Sequence, residues 1–436
     1  MACMACECVW TITSKTEAVS YLCVRMLLYM CPHAAVYVSS CNICVLMLLY
    51  MCPNATICFK MRCLVILIVI FLFQSKFAFA DCVVDDQLKF KSYNFRIEND
   101  YFNNQDANYT SGVIFSGVTH DFKSTTGNEC LPTVMQLHGK ILSFLDGNIL
   151  KKEEGISKNI YFNAYQRMYT PTDDKTSTLV RDDRPYSGIV ALDVGVNERH
   201  RDHSNDTQVL DSKQFTLGVI GPLSFVRQSQ NIVHDAFDVY RASGWDNQLG
   251  TEPALMYMFE RKIKTDLQQN TYTPGISKDL IRFYGFKVGN ISTSVNVGLE
   301  GRYGLNIPND FGSAADYSGC DNTAPASGTI PSGKTDSCVD KGDLLLPIPL
   351  GAHLFALTEL TGVAYDFSLD GNLLENNHHV NKKPVVGKLS YGISSLIPIH
   401  NDKNLKIVAM QVIQSKEFEE QKRIHRYVSI TVGLDF

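Results

Sequence analysis

The far end of the chain alternates strictly: Val428, Ile430, Val432, Leu434 and Phe436 fall on one face, and Ser429, Thr431, Gly433 and Asp435 on the other. Successive side chains of a strand point to opposite sides, so this is a strand with one apolar and one polar face. Similar stretches recur upstream. Tyr93, Phe95 and Ile97 alternate with Asn94, Arg96 and Glu98. Others are Ser111–Thr119, Gly188–Asn197, Gln214–Ile220, Ala254–Arg261, Lys287–Leu305, Leu344–Leu357, Val385–Leu396 and Leu405–Ser415. Turn residues separate them, and no βαβ rhythm appears, which predicts an all-β antiparallel meander. The last strand fits either a soluble sandwich or a transmembrane barrel. Its terminal Phe favours the barrel, with the apolar face on lipid and the polar face on the lumen. A barrel must close in lipid to satisfy its backbone groups, so the strand number is even, and about twelve accounts for the segments seen.

One segment breaks the alternation. Phe225 to Arg241 reads FVRQSQNIVHDAFDVYR. Gln230, His234 and Asp238 are four apart and predict one face of a short helix, with Val226, Ile232, Val233, Phe237 and Tyr240 as apolar cover. Such a helix sits on a loop or fills the lumen.

The near end carries processing signals. Lys60 and Arg62 precede an apolar run, Leu64 to Phe73, followed by Ala78-Phe79-Ala80. The run is too short to span a bilayer and reads as a signal peptide over 61–80, with Asp81 as the mature N-terminus of a barrel domain over 81–436. Residues 1–60 contain MLLYMCP twice, at Met26 and Met47, and nine of the chain's 14 cysteines. They read as upstream sequence translated ahead of the true start at Met61. Export permits disulfides among Cys82, Cys130, Cys320 and Cys338; Cys320 and Cys338 bracket a Gly/Ser/Thr/Pro-rich loop, leaving Cys82 with Cys130. The net charge of −5 argues against a nucleic-acid binder.

Candidate chemistry clusters at strand ends. Glu98-Asn99-Asp100 ends one strand and Asp106–Gly112 opens the next, so a short loop joins them at one rim. By alternation Glu98 and Asp100 point into the lumen. Their oxygens suit a hard cation such as Ca²⁺, or simply a solvated hairpin. Arg184, in Asp182–Gly188, can pair with a phosphate or with a carboxylate inside the barrel. His234 is a general-base candidate, although a lone helical His is more often structural. Neither a Gly-x-Ser-x-Gly elbow nor a zinc-type His pair is present, so water activated by His fits the inventory better than a serine nucleophile.

Seven motifs in order resemble one family, the outer-membrane lipid A 3′-O-deacylases. They are ENDYF (98–102), DANYTSG (106–112), DDRPYSG (182–188), the run GVIGPLSFVRQSQNIVHDAF with GWDNQL and EP (218–253), GRYGLNIPNDFG (301–312), FSLDGN (367–372) and SKEFEEQ (415–421). The resemblance implies a Gram-negative outer-membrane location and a twelve-stranded barrel, with the site at the extracellular rim between the wall and a loop helix. It implies His234 as base, with Asn99, Asp100 and Thr110 as polar site residues. Ca²⁺ would be held by Asp100 and Glu98, and Arg184 and Gln230 would contact substrate. Tyr240 stands where the family has a carboxylate shortly after the His. The implied partners are lipopolysaccharide and the barrel-assembly machinery; the oligomeric state is open. A channel or adhesin, or an outer-membrane phospholipase, are the competing functions.

Overall fold

The computed structural model describes residues 90–101, 107–120, 157–202, 207–266, 275–313, 350–375, 377–400 and 403–435. The upstream sequence, the signal peptide, Asp106, the four cysteines and Phe436 lie outside the described residues.

Twelve antiparallel strands close on themselves: β1 (Phe90–Asn99), β2 (Asn108–Thr119), β3 (Ser157–Thr170), β4 (Ser187–Asp202), β5 (Thr207–Ile220), β6 (Glu252–Asp266), β7 (Ile276–Gly289), β8 (Ser292–Leu305), β9 (Gly351–Asp366), β10 (Val385–His400), β11 (Lys403–Gln414) and β12 (His425–Asp435). Each strand pairs with its sequence neighbours, and β1 pairs with β12 from Ser92↔Asp435 to Asn99↔Val428 to complete the barrel. No helix among the described residues is long and apolar enough to cross a membrane; the strands do that work.

Alternation assigns the two faces. On β1, Phe95 and Ile97 are exposed while Arg96 and Glu98 are buried, and β2 answers with exposed Val113 and Phe115. The exposed apolar row continues through Val190, Leu192, Leu217, Leu255, Val297 and Leu360. This is the lipid-facing band.

The lumen is packed. Toward one rim it holds Ile114, Tyr165, Ile189, Ile220, Leu249, Ala254 and Phe367 in one apolar cluster. Toward the other, buried charges pair across the wall. Arg302 pairs with Asp279 at 2.5 Å and with Asp310, while Lys264 reaches Asp279 at 3.4 Å. Asp310 belongs to the Pro308–Gly312 segment, which folds inward and seats Phe311 against Leu210.

Two expectations shift. The run Lys287–Leu305 is not one strand: it breaks at Asn290, whose side chain accepts from Leu255 N and donates to Glu252, so that β7 ends at Gly289 and β8 begins at Ser292. The helix is shorter than expected, as described below.

An Arg302→Met change leaves Asp310 buried without its cation, and breaking a buried pair in this way costs about 3–5 kcal/mol. The expected outcome is a lower urea midpoint for loss of the folded, heat-modifiable band; an unchanged midpoint would contradict the role given to this network.

Candidate active site

Six of the seven motifs meet at one rim, where the chain segments 100–107, 171–186, 221–251, 290–291, 367–384 and 415–424 connect the strands. The exception is the 301–312 motif, which forms the inward fold at the opposite rim.

The helix, α1 (Val226–Ala236), lies in the 221–251 segment. The chain leaves β5 through Gly221, whose φ of 87° and close approach to Gly250 O (2.2 Å for an added Cβ) require glycine. Pro222 and Ser224 make a 3₁₀ turn, and Phe225 enters the helix at φ 59°. Val226, Gln230 and His234 recur at four-residue spacing and form the buried face. Val226 packs with Met168, Tyr186, Ala242 and Trp245. Met168 is paired with Gly188, and both share the parity of the lipid-facing Val190. A Cβ on Gly188 would stand 2.2 and 2.4 Å from the Val226 methyls. The helix is therefore docked on the outside of the wall, over β3 and β4, and the glycine is the gap that lets it approach. Gln166, also outward, donates to Ser224 O at 2.6 Å.

The helix departs from the sequence expectation. It ends at Ala236, and Asp238 turns the chain at φ 56°, so Asp238 is exposed and off the Gln230–His234 face. Ile232, Val233 and Phe237 are 43, 49 and 76 % exposed and give no cover toward the protein, while Tyr240, 45 % exposed, turns its hydroxyl inward to Asp174. An apolar helix face turned away from the wall of a membrane barrel meets the lipid boundary, where exposure of such residues is favourable.

His234 is buried, and its Nδ1 lies 2.5 Å from the Tyr240 carbonyl oxygen. A carbonyl has no proton to give, so Nδ1 carries the hydrogen and Nε2 is the basic nitrogen of the neutral ring. The Tyr240 phenol donates to the carboxylate of Asp174, 2.6 and 2.7 Å from its two oxygens. Asp174, from the 171–186 segment, is buried, and burial raises its pKa against the opposing Tyr240 hydrogen bond. Gln230 accepts from Trp245 Nε1 at 2.6 Å, so its side-chain oxygen fastens the helix to the following segment.

The remaining expected residues divide between the faces. Asn99 has the outward parity of Ile97, pairs with Ser111 and accepts from Tyr101 N at 2.7 Å. Thr110 is buried, with its hydroxyl 2.6 Å from that of Thr170. Asp100 is fully buried, accepts from Ala107 N at 2.8 Å and lies 3.8 Å from Nε2 of the luminal His425. Glu98 faces the lumen, taking a hydrogen bond from Tyr109 at 2.5 Å and lying 3.8 Å from Arg96. Arg184 is 1 % exposed; it meets Glu417 at 2.5 Å and Ser368 at 3.2 Å, between the rings of Tyr169 and Phe418. Burial opposes its charge, but Glu417 outweighs that and raises its pKa. Asp174 lay outside the sequence motifs, and Trp245 and Glu417 lay inside GWDNQL and SKEFEEQ with no role given, because each acts through a partner distant in the chain.

Among the described residues no three His, Cys, Asp or Glu side chains form a metal-holding group. Glu98 is tied to Tyr109, and the Asp100 carboxylate is turned to Ala107 N and His425.

The family model for outer membrane protein LpxR matches residues 64–436. The chain belongs to the LpxR family. That membership makes it a Gram-negative outer-membrane barrel of lipid A deacylase type. Among solved structures, LpxR from Salmonella typhimurium is similar at 14 % identity and a TM-score of 0.54, with 79 % of this chain and 100 % of that chain covered. The NanC porin is a more distant likeness, at 8 % identity and a TM-score of 0.31 over 79 % of this chain and 98 % of that one. No curated protein matches the sequence. The barrel wall of this LpxR-family chain is the fold that it shares with the Salmonella structure.

In a chain beginning at Asp81, Trp245 is the sole tryptophan. Gly188→Val should lift α1 from the wall and red-shift Trp245 emission while the barrel stays heat-modifiable. Unchanged emission would contradict the close packing of helix and wall.

Proposed function

We propose that the chain hydrolyses the 3′-linked acyloxyacyl ester of lipid A at this rim, placed on the extracellular side. The observation that carries the reading is the His234 Nδ1 contact to Tyr240 O. It sets Nε2 as the basic nitrogen on a helix docked against the lipid side of the wall, where an acylated substrate lies. The competing channel reading is disfavoured by a lumen that holds an apolar cluster and the Arg302–Asp279–Asp310 charges among the described residues.

His234 Nε2 takes a proton from water as the water oxygen attacks the ester carbonyl carbon. The tetrahedral oxyanion needs hydrogen-bond donors, and the Asn99 amide and the Thr110 hydroxyl are the polar groups assigned to it. Collapse breaks the bond to the sugar 3′ oxygen, which receives the proton from His234. The products are the free acyloxyacyl acid and a 3′ hydroxyl. Arg184, held by Glu417, shapes the rim under the site, and Gln230 fixes the helix through Trp245. Each of these steps uses groups of this chain alone.

His234→Asn should lower deacylation about 10²–10⁴-fold with the barrel folded. The check is mass spectrometry of lipid A after incubation with purified protein; near wild-type release would remove His234 from the reaction. The same assay in EGTA, with and without added Ca²⁺, decides the calcium expectation: loss in chelator and recovery on calcium would restore the metal to the site.

A further inference from the structure

We propose that Asp174 is a positioning residue for His234, acting through Tyr240. This rests on the reading of His234 as the base. The segment that follows α1 doubles back: Val239 N donates to His234 O at 2.8 Å, and Tyr240 O then receives His234 Nδ1. On its exposed side the turn is tied to the helix, where Arg241 donates to the Asp235 carboxylate at 2.7 and 2.5 Å. On its buried side it is held by the 171–186 segment. Asp174 takes the Tyr240 phenol in both carboxylate oxygens, and its backbone oxygen accepts from Ser243 N at 2.8 Å and from the Tyr186 phenol at 3.2 Å. Asn247 adds a bond to Ser177 O at 2.8 Å. Lys175 lies 4.8 Å over the Tyr240 ring. The half-exposed tyrosine is pinned at its buried end by one acidic side chain. A base whose ring is held by an acceptor, itself held by a further group, keeps one tautomer and one orientation. In this chain the carboxylate of that arrangement comes from a different loop, one residue removed from the imidazole by way of a phenol and a peptide carbonyl. Tyr240 thus has a defined task where the family resemblance led to an acid.

The test uses the full-length protein in detergent with four variants. Asp174→Ala and Tyr240→Phe each delete the same bond, so each should lower kcat about 10–100-fold with KM unchanged. The double variant should be no worse than either single one, because both act through one contact. Asp174→Asn keeps an acceptor oxygen for the phenol and should recover most of the lost kcat. Independently of turnover, two-bond ¹H–¹⁵N spectra of His234 should show the Nδ1–H tautomer in the wild type and a mixture in Asp174→Ala. Trp245 emission, read with Trp10 replaced by Phe and unchanged in all four, reports that the helix remains docked. Additive losses, or a His234 spectrum indifferent to Asp174, would overturn the proposal. If the wild type released no acyl group the proposed function would fail, while the His234 spectra would still decide the role of Asp174.

Discussion

The seam between β1 and β12 is the contact on which the rest of the molecule depends. A sheet in lipid has no water to satisfy an open edge, so the first and last strands must find each other. Their eight paired positions fix the register of the closed wall. Because side chains alternate, that register also decides which residues face lipid and which face the lumen. A slip of one position would turn Arg96 and Glu98 outward and Phe95 and Ile97 inward. The same seam brings Asp100, just past the end of β1, beside His425, the first residue of β12.

Once the faces are set, the rim chemistry divides. Inside, acidic and basic side chains neutralise one another and hold the loops down, as Arg184 does between Glu417 and Ser368. Outside, a helix is laid against the wall at a glycine, with Val226, Gln230 and His234 inward and Ile232 and Val233 outward beside Arg227 and Asp235. A face that mixes apolar and charged residues suits the boundary between hydrocarbon and headgroups.

Much of this was legible in the residues. The alternation of Val428–Leu434 and of Tyr93–Glu98 carried the barrel, and the four-residue spacing of Gln230 and His234 carried the helix. β3 was missed because its inward positions are Tyr161, Tyr165 and Tyr169 while its outward ones include Ala164 and Gln166, which reverses the apolar and polar sides near the helix. β7 was blurred because Ile281 and Phe283 make its luminal face apolar as well. The helix end was over-read because Phe237 and Tyr240 continue an apolar period that the lipid boundary, not a core, explains. Pairs such as Asp174 with Tyr240 or Arg184 with Glu417 depend on which loops meet at the rim. Local spacing does not encode that.

The outward docking of α1 changes the variable that governs encounter. A group that reaches the wall from the hydrocarbon side arrives by sliding within the leaflet, and its supply is a surface density rather than a bulk molarity. Occupancy of the helix–wall crevice then follows the mole fraction of the lipid in the sheet around the barrel. Adding inert lipid or detergent dilutes it, even when the total amount in the tube is constant. Leaflet thickness joins the same account: a thicker or thinner bilayer moves the boundary relative to Phe237 and Leu223, and with it the depth of the crevice in the leaflet.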